Sequence, residues 1–170
     1  MWLEMQADGD LGAEPSETGE REPIAVFGVD AVLEGTIPKL EGRLTEHLGH
    51  ARRVHVRPAD AGNAAKDQMV LELDDVVAVA AAPRPPSPFR VARRQHAIEI
   101  TAGRYQLRGV AHLPHGADPH RYVASAPRKW LPLTQCTVST SVDQWSVDTV
   151  IVNLDHASRE PSPQVPPPFG

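Results

Sequence analysis

The chain has 170 residues, 41% of them hydrophobic and 5% aromatic, with a formal charge of -5. That is enough apolar material for one ordinary domain or two very small ones. The chain as a whole is acidic, which weighs against nucleic-acid binding, and one cysteine excludes an intrachain disulfide or a multi-cysteine zinc or iron-sulfur centre.

Charge is concentrated at the start. Residues 1–22 carry Glu4, Asp8, Asp10, Glu14, Glu17, Glu20 and Glu22 against Arg21 alone. Such a stretch lacks periodic apolar positions and cannot offset its ordering entropy, so a disordered acidic tail is expected over 1–22. It has no apolar core of the kind a secretory signal needs, and the longest apolar run, Val76 to Ala82, is too short to span a bilayer. A cytoplasmic protein without membrane contact is the expectation. Fourteen arginines against three lysines fit a GC-rich bacterial genome.

The first structured stretch reads as a hairpin. Ile24 to Phe27 and Ala31 to Ile37 alternate β-branched residues around Gly28-Val29-Asp30. Gly35 interrupts the second strand, which marks a bulge or sharp bend. Arg43 to Leu48 follows as a short helix, with Leu44 and Leu48 four residues apart on one face. Val54 to Val56 and Met69 to Leu73 then read as strands, and Val76 to Ala81 as a fifth. A first β repeat over 23–82 results.

Residues 83–95 form a linker rich in proline and arginine, including Pro85-Pro86-Ser87-Pro88, which favours polyproline II and acts as a stiff spacer. Beyond it the pattern returns. Ala97 to Ile100 and Tyr105 to Leu113 flank Ala102-Gly103-Arg104, with Gly103 suited to positive φ, and Gly109 breaks the second strand as Gly35 does. Asp118 as N-cap with Pro119 behind it starts a second short helix. Trp130 to Val138 and Trp145 to Leu154 complete a second repeat over 96–160, and a proline-rich tail occupies 161–170.

The correspondence extends beyond element order. Val32-Leu33-Glu34-Gly35 overlies Gln106-Leu107-Arg108-Gly109, and Gly42 falls on Gly116. Arg52-Arg53-Val54 overlies Arg128-Lys129-Trp130, and Asp67-Gln68-Met69 overlies Asp143-Gln144-Trp145. After five extra residues, Val70 to Asp75 overlies Ile151 to His156. The fold class expected is mainly β, as two small barrel-like antiparallel repeats, each with one short helix, packed together because units of sixty residues are marginal alone.

The second repeat resembles small uncharacterised bacterial domains. The resemblance lies in Leu107-Arg108-Gly109, Leu113-Pro114-His115-Gly116, Arg128 to Thr134 and Val152-Asn153-Leu154-Asp155-His156. The first repeat keeps a degenerate form, with Val56-Arg57-Pro58 and Glu72 to Asp75 in the last two places. This resemblance implies a fold and brings no activity with it.

Three candidate chemistries remain. His112, His115 and His120 lie near Asp118 around one turn, where neutral imidazoles would meet a metal. Arg84, Arg90, Arg93 and Arg94 form a basic cluster, with Arg90, Arg93 and Arg94 the candidates for salt-sensitive phosphate contacts with a nucleic acid, extended by Arg104, Arg108, Arg128 and Lys129. Asp74-Asp75 and Asp155-His156 end strands at matching places, either as turn caps or as a paired site. Cys136 is expected as a buried thiol. No Gly-x-Ser-x-Gly elbow and no phosphate loop are present in the sequence, so neither nucleophilic nor nucleotide chemistry is indicated. The expected function is a non-catalytic interaction or regulatory module, without a cofactor and with a protein partner. Nucleic-acid binding and His-dependent metal binding are the alternatives.

Overall fold

The computed structural model describes residues 10–12, 19–60, 68–83, 92–125 and 129–158. The first hairpin is β1 (Arg21–Gly28) and β2 (Val32–Pro38), followed by helix α1 (Leu44–His50), β3 (Arg53–Pro58) and β4 (Met69–Glu72). A 3-10 helix, Leu73–Asp75, turns the chain into β5 (Val76–Ala81). The second half comprises β6 (Arg93–Ala102), β7 (Tyr105–Pro114), α2 (Pro119–Ala124), β8 (Trp130–Ser139), β9 (Gln144–Asn153) and the 3-10 helix Leu154–His156.

The protein is mainly β, and all nine strands share one antiparallel sheet in the order β4-β3-β2-β1-β5-β9-β8-β7-β6. The sheet is continuous and does not close, so the chain does not form two separately closed barrels. β5 is the hinge of this arrangement. It pairs with β1 on one side, Val26 facing Val79, and with β9 on the other, Val79 facing Ile151.

The side chains of β5 are divided between two cores. Val76 and Val79 join Ile24, Val26, Ile37, Leu44, Leu48, Val54 and Val56 in one buried cluster. Val77, Ala78 and Ala80 join Ile100, Leu107, Leu133, Val138, Val150 and Val152 in the other. The β1–β5 register shifts between Phe27 and Gly28, which pair with Ala78 and Val76, so Val77 is an extra, bulged residue that stays on the side of Ala78. The rest of the strand alternates, and the two cores lie on opposite sides of the central strands. The apolar run Val76-Val77-Ala78-Val79-Ala80 is therefore buried on both faces, as an unbroken strand sequence requires.

Local expectations mostly match. Gly103 has φ +55, Leu44 and Leu48 are buried, and the Asp118 side chain accepts the Arg121 N–H at 2.9 Å. Gly109 sits where the β7–β8 register shifts between Arg108 and Val110. Gln135 is the extra residue opposite it and takes φ +50, left-handed for a side-chain-bearing residue. Gly35 serves a different need. A Cβ there would run into the Arg57 carbonyl oxygen, so the position is set by close backbone approach.

Other expectations are corrected. The acidic lead is not tail throughout: Leu11 is 3% exposed, bridges Val54, donates its N–H to the Arg53 carbonyl at 2.8 Å and accepts from the His55 N–H at 2.7 Å. An apolar residue with partners for both backbone groups can leave water, and Leu11 does so beside Val54 of β3, in the first core. β1 also begins at Arg21, inside the stretch read as tail. Arg93 and Arg94 belong to strand β6 rather than to the linker. Val70, in a stretch read as an apolar strand, is 51% exposed on β4, the outer strand of the sheet among the described residues, whereas Leu73 in the 3-10 helix that follows is buried in the first core. The 161–170 tail and the Pro85 to Pro88 spacer lie outside the described residues.

Candidate interaction site

The two halves meet at β5 and β9 in the middle of the sheet, and the 3-10 helices that precede β5 and follow β9 come together there. Lys129 leads into β8 and reaches Asp155 Oδ2 at 3.1 Å and Asp74 Oδ1 at 3.4 Å. His156 Nε2 donates to the Asp74 carbonyl oxygen at 2.7 Å. The matching Asp74-Asp75 and Asp155-His156 pairs thus converge through Lys129 and a backbone acceptor. These ion pairs are exposed, 93% for Asp74 and 67% for Asp155, and each contributes little to stability.

Beneath them lies a stronger fastening. Asn153 is fully buried; its Nδ2 donates to the Val76 carbonyl at 2.9 Å and its Oδ1 accepts the Asp155 N–H at 3.1 Å. One side chain therefore ties β5 of the first half to the 3-10 helix of the second. A second tie is Tyr105, whose hydroxyl donates to the Gly28 carbonyl at 2.7 Å in a buried setting. Its ring meets Phe27 edge-on at 5.6 Å, and Phe27 meets Trp145 at 5.4 Å. Sequence reading missed both Asn153 and Tyr105 as joining residues. The available signal was a polar tip on strands that otherwise read as core.

Above this junction a cleft of about 680 Å³ opens between α1, the first 3-10 helix and the start of β8. The buried Leu48, Leu73 and Trp130 form its apolar floor, and Arg43, Arg52, Lys129, Glu46, Glu72 and Asp74 also line it. α1 is placed there by Leu44 and Leu48, which anchor it in the first core and leave its other face to solvent. Trp130 is 6% exposed, joins the first core although it begins the second half's β8, and has Lys129 Nζ 5.9 Å from its ring centroid. Charges are tied off locally, Glu72 to Arg53 at 2.8 Å and Asp74 to Lys129. Such a rim suits recognition by complementary charge around an apolar contact.

The residues singled out from sequence are dispersed. His112 Nε2 hydrogen-bonds Thr134 Oγ1 at 2.8 Å, whereas His115 and His120 are exposed. Among the described residues, no group of three or more histidine, cysteine, aspartate or glutamate side chains is gathered as a metal ion would need. Asp118 caps α2, and the Arg121 N–H holds its carboxyl below the usual value.

Arg90, Arg84 and Arg128 lie outside the described residues. Arg93 and Arg94 are adjacent on β6 and so point to opposite faces, and Arg93 donates to the His112 carbonyl at 3.3 Å. Arg108 is paired with Glu99 at 2.6 Å, and Arg104 lies over the Tyr105 ring. Cys136 is 2% exposed, and burial pushes its thiol up to about 12. Among the described residues, no helix is long and apolar enough to cross a membrane.

Comparison with known proteins finds no matching family model, no similar curated protein and no similar solved structure.

Proposed function

We propose that this chain is a non-catalytic bacterial interaction module, built from a duplicated small β unit, that docks a protein partner in the cleft over Trp130. The pairing registers of the two halves support the duplication. Ile24 faces Gly35 as Ile98 faces Gly109, and Val26 faces Leu33 as Ile100 faces Leu107. Arg53 faces Glu72 as Trp130 faces Asn153, which moves this part of the sequence alignment by one residue. The Leu73 N–H donates to the Arg52 carbonyl as the Leu154 N–H does to that of Lys129. Gly28 pairs with Val76 directly after one 3-10 helix, and Ala102 bridges Ala157 directly after the other. Gly42 and Gly116 both take φ +81 ahead of their helices.

Each half then curls, barrel-like, around its own core, and β5 is shared between them. Fusing two such units creates a surface that neither has alone. The observation that carries the functional reading is that α1 of the first unit and Trp130 of the second form one cleft, with a charged rim over an apolar floor. A segment with charges of both signs around one apolar side chain fits that chemistry.

The test is site-specific photo-cross-linking in the native cell, with the reactive residue placed at Glu46 on the rim and, separately, at Val142, which is 83% exposed elsewhere. One protein species captured from position 46 and not from 142 is expected. Equal products from both positions, or none from position 46, would overturn the reading.

A further inference from the structure

The register match between the halves has a consequence at the edge of the sheet. Met69, Val70 and Leu71 of β4 face Val56, His55 and Val54, just as Val150, Ile151 and Val152 of β9 face Leu133, Pro132 and Leu131. On its other side β9 carries β5, with Val150 facing Ala80, Ile151 facing Val79 and Val152 facing Ala78. There Val150 is 0% exposed and Ile151 5%, packed into the two cores on opposite faces. At the same ladder positions Met69 and Val70 are each 51% exposed, and β4 is the outer strand of the sheet among the described residues.

The opposite edge is different. β6 presents exposed Arg93 and Arg94, and its far end already meets Ala157 and Ser158, whose N–H donates to the Thr101 carbonyl at 2.7 Å. Charged residues on an edge strand discourage strand addition; three of the four residues of β4, Met69, Val70 and Leu71, are apolar, and Glu72 at its end is paired with Arg53.

We infer that β4 is an acceptor edge for an extended strand of a protein partner, which adds antiparallel with a small–branched–small pattern, its branched residue opposite Val70. The pattern follows from Ala78-Val79-Ala80, the strand that this chain already seats on the equivalent edge. Backbone hydrogen bonds supply affinity in such an addition and alternate side chains supply selectivity. The inference goes beyond the cleft, and the two fail separately: cross-linking from Glu46 reads the cleft, and strand titration reads the edge.

The probe is a soluble peptide carrying residues 74–82, titrated into the full chain while backbone amide resonances are followed by NMR. Saturable shifts at residues 69–72, and none at residues 93–100, are expected. Val70→Lys is tolerated because the side chain is half exposed, and it should weaken binding by about tenfold or more with an unchanged unfolding midpoint. A peptide with aspartate in place of Val79 should not bind. Absence of saturation at ~1 mM peptide, where only the weakest contacts persist, overturns the inference. So do shifts confined to β6. A concentration-dependent dimer that Val70→Lys abolishes, without peptide binding, assigns the edge to a second copy and likewise overturns it.

Discussion

Replacing Asn153 tests the joint between the halves more directly than any core truncation. Its amide makes two hydrogen bonds in a fully buried position, to the Val76 carbonyl and from the Asp155 N–H. Asn153→Ala removes both and strands groups that water cannot reach. With about 1 kcal/mol net for each bond and a further penalty for a buried group left unpaired, the cost is about 2 to 4 kcal/mol. Set against a typical stability of about 5 to 15 kcal/mol, that is a large fraction. In urea, a slope of about 2 kcal/mol per molar converts it to a midpoint lowered by about 1 to 2 M.

Asn153→Asp separates hydrogen bonding from shape. A protonated carboxyl can still donate to the Val76 carbonyl, whereas a carboxylate there is buried against an acceptor. Burial raises the carboxyl's folded-state pKa above its unfolded value of about 3.9. The unfolded state therefore ionises first, and the deficit relative to the parent grows as pH rises above about 4 and shrinks below it. Paired urea titrations at pH 4 and pH 7 read the difference. A deficit independent of pH, or an alanine variant within about 0.5 kcal/mol of the parent, the range of ordinary surface substitutions, would refute the role assigned to Asn153.

The two strand-breaking glycines should respond unequally. Gly35→Ala drives a methyl into the Arg57 carbonyl and should cost about 3 kcal/mol, whereas Gly109→Ala meets the Thr134 carbonyl at 3.1 Å and should cost about 1 kcal/mol; equilibrium unfolding distinguishes them. Tyr105→Phe keeps the ring contact with Phe27 but leaves the buried Gly28 carbonyl without its donor, for a loss of about 1 to 2 kcal/mol by the same assay. Cys136 should resist alkylation at pH 8 and react only as fast as the chain unfolds, since burial keeps its thiol neutral. With the folded thiol at about 12 and the ordinary value at 9.0, the unfolded chain ionises first, so stability should fall as pH rises past 9. That alkaline loss should be smaller in Cys136→Ser.

Much of the local structure is legible in the sequence because its causes are local. Alternating β-branched residues, Gly103 in its turn, Asp118 ahead of Pro119, and Leu44 with Leu48 each act within a few positions, and the strands and helices fall close to where those signals place them. The order of elements in the two halves is visible for the same reason. Val76 to Ala81 also reads correctly as a strand, but its unbroken apolar character records two partners that lie far away in sequence. Only tertiary pairing decided that β5 would join β1 to β9 and give one face to each core. Tertiary packing likewise drew Leu11 out of an acidic lead, left Val70 on an open edge, and set Trp130 of the second half beneath α1 of the first. Propensity and capping are properties of neighbours along the chain. Burial of a given side chain depends on which distant strand arrives to cover it.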